Sequence, residues 1–426
     1  MRARVVGGVV AAATLITACS GADPDEGLVR AEGVDPRVVA VGEAAALTDV
    51  VDATRTIATA LLDAAPEEGN VVVSPSSVAV ALSMLADGAR GDSLAELESV
   101  LGASGEDRRD AFTALRSALL EYDGDPAVVQ DDDLPDRPMI HLADQVVVDD
   151  ELDVERGYLE ALAAGFDAGV QHADLGSPEG KSTLDAWVRH HTGGLVEKSA
   201  IQPRSDLRLV LQDAVVLAAR WQTPFDGRGT YERPFTLSDG SVVDAQTMAV
   251  AEPFAYAEVD GWTAARLPYV DALHADVLLP PAGVDPAAVT PELLAAVDSA
   301  LSAAEPEPVD LWLPKLDVTP DPLDLTATID RLGAGSVLAP ETSDLTGIAP
   351  PEAQLFVGQA AQQAVLKVDE EGTVAAAVTE VGVEAGSAVV RPTRRTLHLD
   401  RPFVLMVCHT ETSWPLFLAT IRDPRH

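Results

Sequence analysis

Apolar side chains recur every three to four positions through residues 44–64, 77–86, 93–101 and 108–120. That spacing predicts amphipathic helices, the second opening directly behind Ser74-Pro75-Ser76. Short aliphatic, β-branched runs at 146–148, 209–216, 275–279 and 311–313 predict strands. Strands scattered among helices, without an internal repeat, indicate an α+β architecture. Residues 121–138 carry Asp131, Asp132, Asp133 and further acids, and read as a solvated loop. They lack the ligand spacing and glycine of a calcium loop, so no metal is expected there.

The N-terminus follows a different pattern. Arg2 and Arg4 precede an apolar run over 5–18, too short for an ordinary membrane span but the length of a signal peptide. The run ends Leu15-Ile16-Thr17-Ala18-Cys19, which resembles a bacterial lipobox. This predicts a signal peptide over 1–18 and lipidation of Cys19. Residues 19–45, rich in Gly, Asp, Glu and Pro, would be a flexible tether holding the protein outside the cytoplasmic membrane. No later run of this kind suggests a span.

Composition narrows the partners. The formal charge is −40, from 69 acids against 29 bases, so nucleic acid and heparin-like polyanions are excluded as natural partners. With 8 Phe, 5 Trp and 5 Tyr among 426 residues, the core must be mainly aliphatic. Two cysteines cannot form a disulfide framework, and Cys408, in the apolar run 403–408, is predicted to be a buried, inert thiol.

A search for catalytic constellations finds no nucleophile elbow, phosphate loop or zinc helix. His190 and His191 are adjacent, so on a helix their side chains diverge by about 100°; a solvent-facing pair is expected, with no metal and no cofactor. The informative segment is 366–380. A strand-like run over 363–368 leads into Glu370, Glu371, Gly372, Thr373, Val374, Ala375, Ala376, Ala377, Val378 and Thr379, and no proline occurs from 366 to 390. At period two, Thr373, Ala375, Ala377, Thr379, Val381 and Val383 share one face of small or medium side chains, which suits a strand slotted between existing strands. The alanines equally allow a helix.

These residues resemble the reactive-loop hinge of inhibitory serpins. The resemblance continues through Leu397-His398-Leu399-Asp400-Arg401-Pro402-Phe403, Asn70-Val71-Val72-Val73-Ser74-Pro75-Ser76-Ser77, Trp221 with Pro224-Phe225, Leu313-Pro314-Lys315-Leu316, Leu332-Gly333 and Asp344-Leu345-Thr346-Gly347-Ile348. It implies one domain over 46–426, with three β-sheets, eight to nine helices and an exposed reactive-centre loop at about 370–395. It also implies an irreversible inhibitor rather than an enzyme: a protease attacks the loop, forms an acyl-enzyme, and is trapped when the cut loop enters the main sheet. The partner is then a serine or cysteine protease, bound covalently by a monomer. The alternative is a non-inhibitory family member acting as a surface binding module.

Family spacing from the hinge places the reactive bond at Gly386-Ser387, with Ala388, Val389, Val390 and Arg391 as alternatives. The small residues suit elastase- or subtilisin-like targets. Ser74, Ser77 and Trp221 match positions where the sheet parts. Asp213 and Gln362 replace the family's usual Asn and His there, and Ala419 replaces a glycine. Gln362 and Asp213 are expected to bond to Ser74 or Ser77.

Overall fold

A computed structural model describes residues 28–131, 133–373 and 394–425. The signal peptide, Cys19, the loop from Val374 to Thr379 and the bonds at Gly386, Ser387, Ala388, Val389, Val390 and Arg391 lie outside the described residues. With strands numbered along the chain, the main sheet runs β1 (Leu28–Val29), β4 (Val170–Ala173), β3 (Met139–Asp149), β5 (Leu209–Arg220), β15 (Gly372–Thr373), β14 (Leu366–Val368), β11 (Leu316–Val318). Every neighbouring pair is antiparallel except β3 with β4.

A second array runs β16 (Arg395–His398), β10 (Glu307–Pro314), β7 (Val242–Val259), β8 (Trp262–Pro268), β9 (Leu273–Leu279), β17 (Phe403–His409), β18 (Pro415–Ile421), β2 (Val71–Val73). The 18-residue β7 divides it into two sheets. Its first part pairs with β10 and with β6 (Tyr231–Thr236), and its last five residues pair with β8. These two sheets and the main sheet are the three expected; β12 (Leu323–Asp324) and β13 (Ala361–Gln362) add a small ribbon.

Among the described residues there are eight α-helices: α1 (Leu47–Ala64), α2 (Pro75–Gly88), α3 (Gly91–Leu101), α4 (Gly105–Ser117), α5 (Arg156–Phe166), α6 (Pro178–His191), α7 (Pro291–Ala303) and α8 (Thr326–Arg331). The start of α2 follows from local chemistry. Ser74 is extended, its hydroxyl accepts from the Ser77 amide, and Pro75 fills the first turn where no amide is needed. Nearly every α2 residue is buried, so this helix runs through the core rather than over it. Strands β17 and β18 are buried at every position, which is why they read as continuous apolar runs without alternation. Ala419 lies fully buried in β18.

Three expectations need correction. Residues 28–43 are not free tether: β1 pairs with β4, Arg30 pairs with Asp167, and Arg37 with Glu106 and Asp110. Residues 121–138 hold short 3-10 turns at Leu120–Tyr122 and Pro126–Gln130, which bury Tyr122, Pro126 and Val129. His191 is not solvent-facing. It lies half-buried, with its Nδ1 3.0 Å from Nε2 of His141, while Asp123 accepts from His141 Nδ1 at 2.8 Å. Burial and the neighbouring His141 and His190 lower its pKa to about 3, so neutral His191 stabilises the fold above its ordinary 6.5 and that contribution is lost as pH falls toward 3. Cys408 is buried as expected, and burial raises its thiol pKa.

Candidate functional site: a seated hinge above an open channel

The chain leaves β14 at Val368 and turns back within four residues. The Asp369 carboxylate accepts from the amides of Glu371 (2.9 Å) and Gly372 (3.2 Å), and its own amide donates to Gly372 O (3.0 Å). This Asx-type turn returns Gly372 and Thr373 antiparallel between β5 and β14, with Gly372 opposite Arg220 and Thr373 opposite Ala219 and Val368. A Cβ on Gly372 would lie 2.0 Å from Ala219 O and 2.7 Å from Leu134 Cδ1, so only glycine fits this close approach.

Thr373 is 1% exposed and its hydroxyl bonds that of Tyr269. Tyr269 stacks on Trp221 with ring centroids 4.3 Å apart. Trp221 holds the turn from both ends of its own structure: the indole N–H donates to Asp369 O (3.0 Å) and the amide to Glu371 O (2.8 Å). Strand β5 ends at Arg220, so Trp221 is carried to the turn by the strand that receives the hinge.

Charges complete the clamp. Glu370 accepts from Lys315 Nζ at 2.6 Å and from the Thr230 hydroxyl at 2.7 Å; Arg220 contacts Glu371 at 3.3 Å and also donates to Leu134 O. Burial pushes the Glu370 carboxyl up, but the bonds from Lys315 and Thr230 outweigh this and leave its pKa below 4.5. The clamp's charge contribution is therefore present above pH 4.5 and lost as pH falls through the lowered value. Lys315, Tyr269, Arg220 and Thr230 were not singled out for this role from the sequence, since each lies 55 to 151 residues from its partner.

Below Thr373 the sheet is open. Among the described residues, β5 from Leu209 to Ala218 has β3 on one side and no strand on the other. The space is a cavity of about 110 Å³ lined by Ser77, Leu82, Leu217, Gln362, Leu366 and Thr373 among others. The end of α6 and the segment after it, including Val188, Thr192 and Leu195, lie along it. At its floor the Gln362 side chain spans the Ser74 backbone, accepting from its amide (2.9 Å) and donating to its carbonyl (2.8 Å). The Ser74 hydroxyl bonds those of Ser77 (2.8 Å) and Ser76 (3.2 Å), and the expected bond of Gln362 to Ser74 is made through the Ser74 backbone. Asp213 sits in β5 opposite Asp144. The sequence-predicted residues thus form two stations: Glu370 to Thr373 with Trp221 at the top of the channel, and Ser74, Ser77 and Gln362 at its floor.

The geometry predicts that Gly372→Ala expels the hinge. Hydrogen exchange of the peptide covering 369–373 should quicken at least tenfold, because the added methyl cannot coexist with Ala219 O. Unchanged protection in a folded variant would contradict the seating described.

Comparison with known proteins agrees with this topology. The serpin (serine protease inhibitor) family profile matches residues 52–424. Plasminogen activator inhibitor 1 of Sus scrofa is 28% identical over 380 residues, covering 84% of this chain and 88% of the relative. A serine protease inhibitor of Cyanea capillata is 29% identical, covering 84% and 93%. Among solved structures, the native-state thermophilic serpin tengpin superposes with a TM-score of 0.78 at 21% identity, over 94% of this chain and 98% of its own. Thyroxine-binding globulin in complex with thyroxine gives 0.73 at 21% identity, over 88% and 99%. The seated hinge, the open channel and a family match over most of the chain agree: this protein belongs to the serpin family of serine protease inhibitors.

Proposed function

We propose that this serpin is an irreversible protease inhibitor that traps its target by completing the main sheet. The observation that carries the reading is the channel: a hinge already seated between β5 and β14, with a strand's length of β5 beneath it that no strand pairs among the described residues. Continuing the antiparallel register of Gly372 with Arg220 and Thr373 with Ala219 sets residues 374–383 opposite 218–209. Thr373 fixes the phase, so Ala375, Ala377, Thr379, Val381 and Val383 turn toward the same buried side.

The same register bears on the reactive bond. Gly386 would arrive level with Asp206, three residues past the lower end of β5, so an enzyme attached there is drawn hard against the sheet. Attachment at Arg391 would leave five more residues of slack, and Pro392 follows it. Gly386-Ser387 is therefore the favoured bond. The protease's own nucleophile attacks the Gly386 carbonyl carbon, the C–N bond to Ser387 breaks, and the freed amine departs with a proton. Insertion then carries the acyl-enzyme down the channel before water can release it. The small side chains at 386–390 fit the shallow pocket of an elastase- or subtilisin-like protease. Plasminogen activator inhibitor 1 and the Cyanea inhibitor, by their names, support the inhibitory reading. We further propose that Cys19 carries the lipid of a membrane anchor.

Mixed with an elastase- or subtilisin-type protease, the wild type should give an SDS-stable complex. Thr373→Arg should be cut without complex, because an unpaired guanidinium in that 1% exposed position costs on the order of several kcal/mol and holds the hinge outside the sheet. Glu380→Arg, on the opposite strand face, should inhibit nearly as well as wild type. Wild type cleaved near Gly386 with no complex would leave the surface binding module.

The anchor has its own test. Wild type should enter the detergent phase of a two-phase partition and Cys19→Ala the aqueous phase; wild type found wholly in the aqueous phase contradicts lipidation.

A further inference from the structure

We infer that the anchored protein stands with the lower end of its main sheet toward the membrane, so that trapping drives the protease toward the bilayer. This rests on the anchor and the inhibition proposed above. The new observation is where the N-terminal strap joins the fold. Leu28 pairs with Gln171, Gln171 with Val147, and Val147 with Val210, which places Leu28 at the bottom of β5. Val29, through Val170 and Val146, is level with Leu211. The chain therefore rises from 28 to 29 and enters the fold at the end of the sheet away from the hinge.

The exit point cannot drift upward. Beyond Val29, Arg30 pairs with Asp167 at 2.7 Å, the Arg37 amide donates to Ala164 O at 2.8 Å, and the Arg37 guanidinium holds Glu106 and Asp110 at 2.8 and 2.6 Å. The strap is tied to α5 and α4 along its course. Residues 19–27 span at most about 32 Å even when fully extended. The hinge, level with Ala219 and Arg220, stands roughly 30 Å above the exit along β5. A bilayer on the hinge side would use all but about 2 Å of the fully extended tether merely to reach the level of Ala219, leaving nothing to clear whatever stands above it.

The trapped state has the opposite relation. Gly386, level with Asp206, would lie four residues below the level of Leu28, about 13 Å down. Sideways, four strand spacings separate β1 from the inserted strand, about 19 Å. The acyl bond thus ends on the membrane side of the tether's exit, within the tether's own reach. Before cleavage the hinge is presented away from the membrane, and afterwards the enzyme is held against it.

The test places a fluorescent non-natural residue at 206 or at 228 in the lipidated protein, on phosphatidylcholine vesicles carrying a headgroup energy-transfer acceptor. Position 206 lies in the turn before β5; position 228 lies near the hinge, where the Phe225 amide bonds Glu370 O. About threefold more transfer is expected from 206 than from 228, given the roughly 40 Å of sheet between them. Equal transfer, or more from 228, overturns the orientation. A labelled protease should then show transfer to the headgroups as its SDS-stable complex forms; a complex that leaves the protease without transfer also overturns it.

Failure of the underlying readings registers separately. Without natural lipidation, a maleimide lipid coupled to Cys19 of the chain 19–426 runs the same orientation measurement, since Cys408 is buried. Without any complex in solution, inhibition fails while the 206 and 228 readings still decide the orientation.

Discussion

The structure is organised around one edge of β5 that, among the described residues, lacks a full strand partner. A strand in the middle of a sheet ordinarily pairs on both sides, yet below Ala219 the inner edge of β5 has no strand against it among the described residues. Unpaired edges invite another strand. Here the nearest strand with matching register is the chain's own, already seated at Gly372 and Thr373. Each ladder bond is worth about 1 kcal/mol net, so a strand paired along the whole of this edge would add an amount comparable to the stability of an ordinary domain. The Asp369 turn, the Trp221–Tyr269 stack and the Lys315–Glu370 pair hold Gly372 and Thr373 in register.

The channel also explains the side chains. A strand that enters between packed elements cannot carry bulk past Ser77, Leu82 and Leu217, and residues 373–383 are Thr, Val, Ala, Glu and Gly. Gly372 is required by one close approach to Ala219 O, not by general flexibility. The end of α6, which lies along the channel, contacts β3 through the half-buried His141–His191 bond beside Trp187. Gln362, bonded to the backbone of Ser74, ties the channel floor to the start of α2 through neutral hydrogen bonds.

Local pattern made much of this legible. Helix α2 was marked by Ser74-Pro75-Ser76, and β5 and β9 by their aliphatic runs. The ambiguity between strand and helix for the hinge segment is settled only at Gly372 and Thr373, which are strand. What stayed hidden depends on distant partners. Nothing near Tyr269 announces a bond to Thr373, and nothing near Lys315 announces Glu370. The pairing of His191 with His141 was hidden because it joins a helix end to a strand 50 residues away. The composition of residues 28–43 resembles a linker, yet arginine pairs and two residues of β-pairing fasten them down. Composition reports which segments can lack structure, not whether a partner surface lies within reach.

The central claim is that the native main sheet is incomplete and that loop cleavage completes it. The most direct measurement is the midpoint of thermal unfolding before and after a clean cut between Gly386 and Val390. Ten or so new ladder bonds at about 1 kcal/mol each should raise the midpoint by roughly 10–20 °C. A midpoint that stays where it was, with the loop demonstrably cut, would show that the channel does not take up the strand.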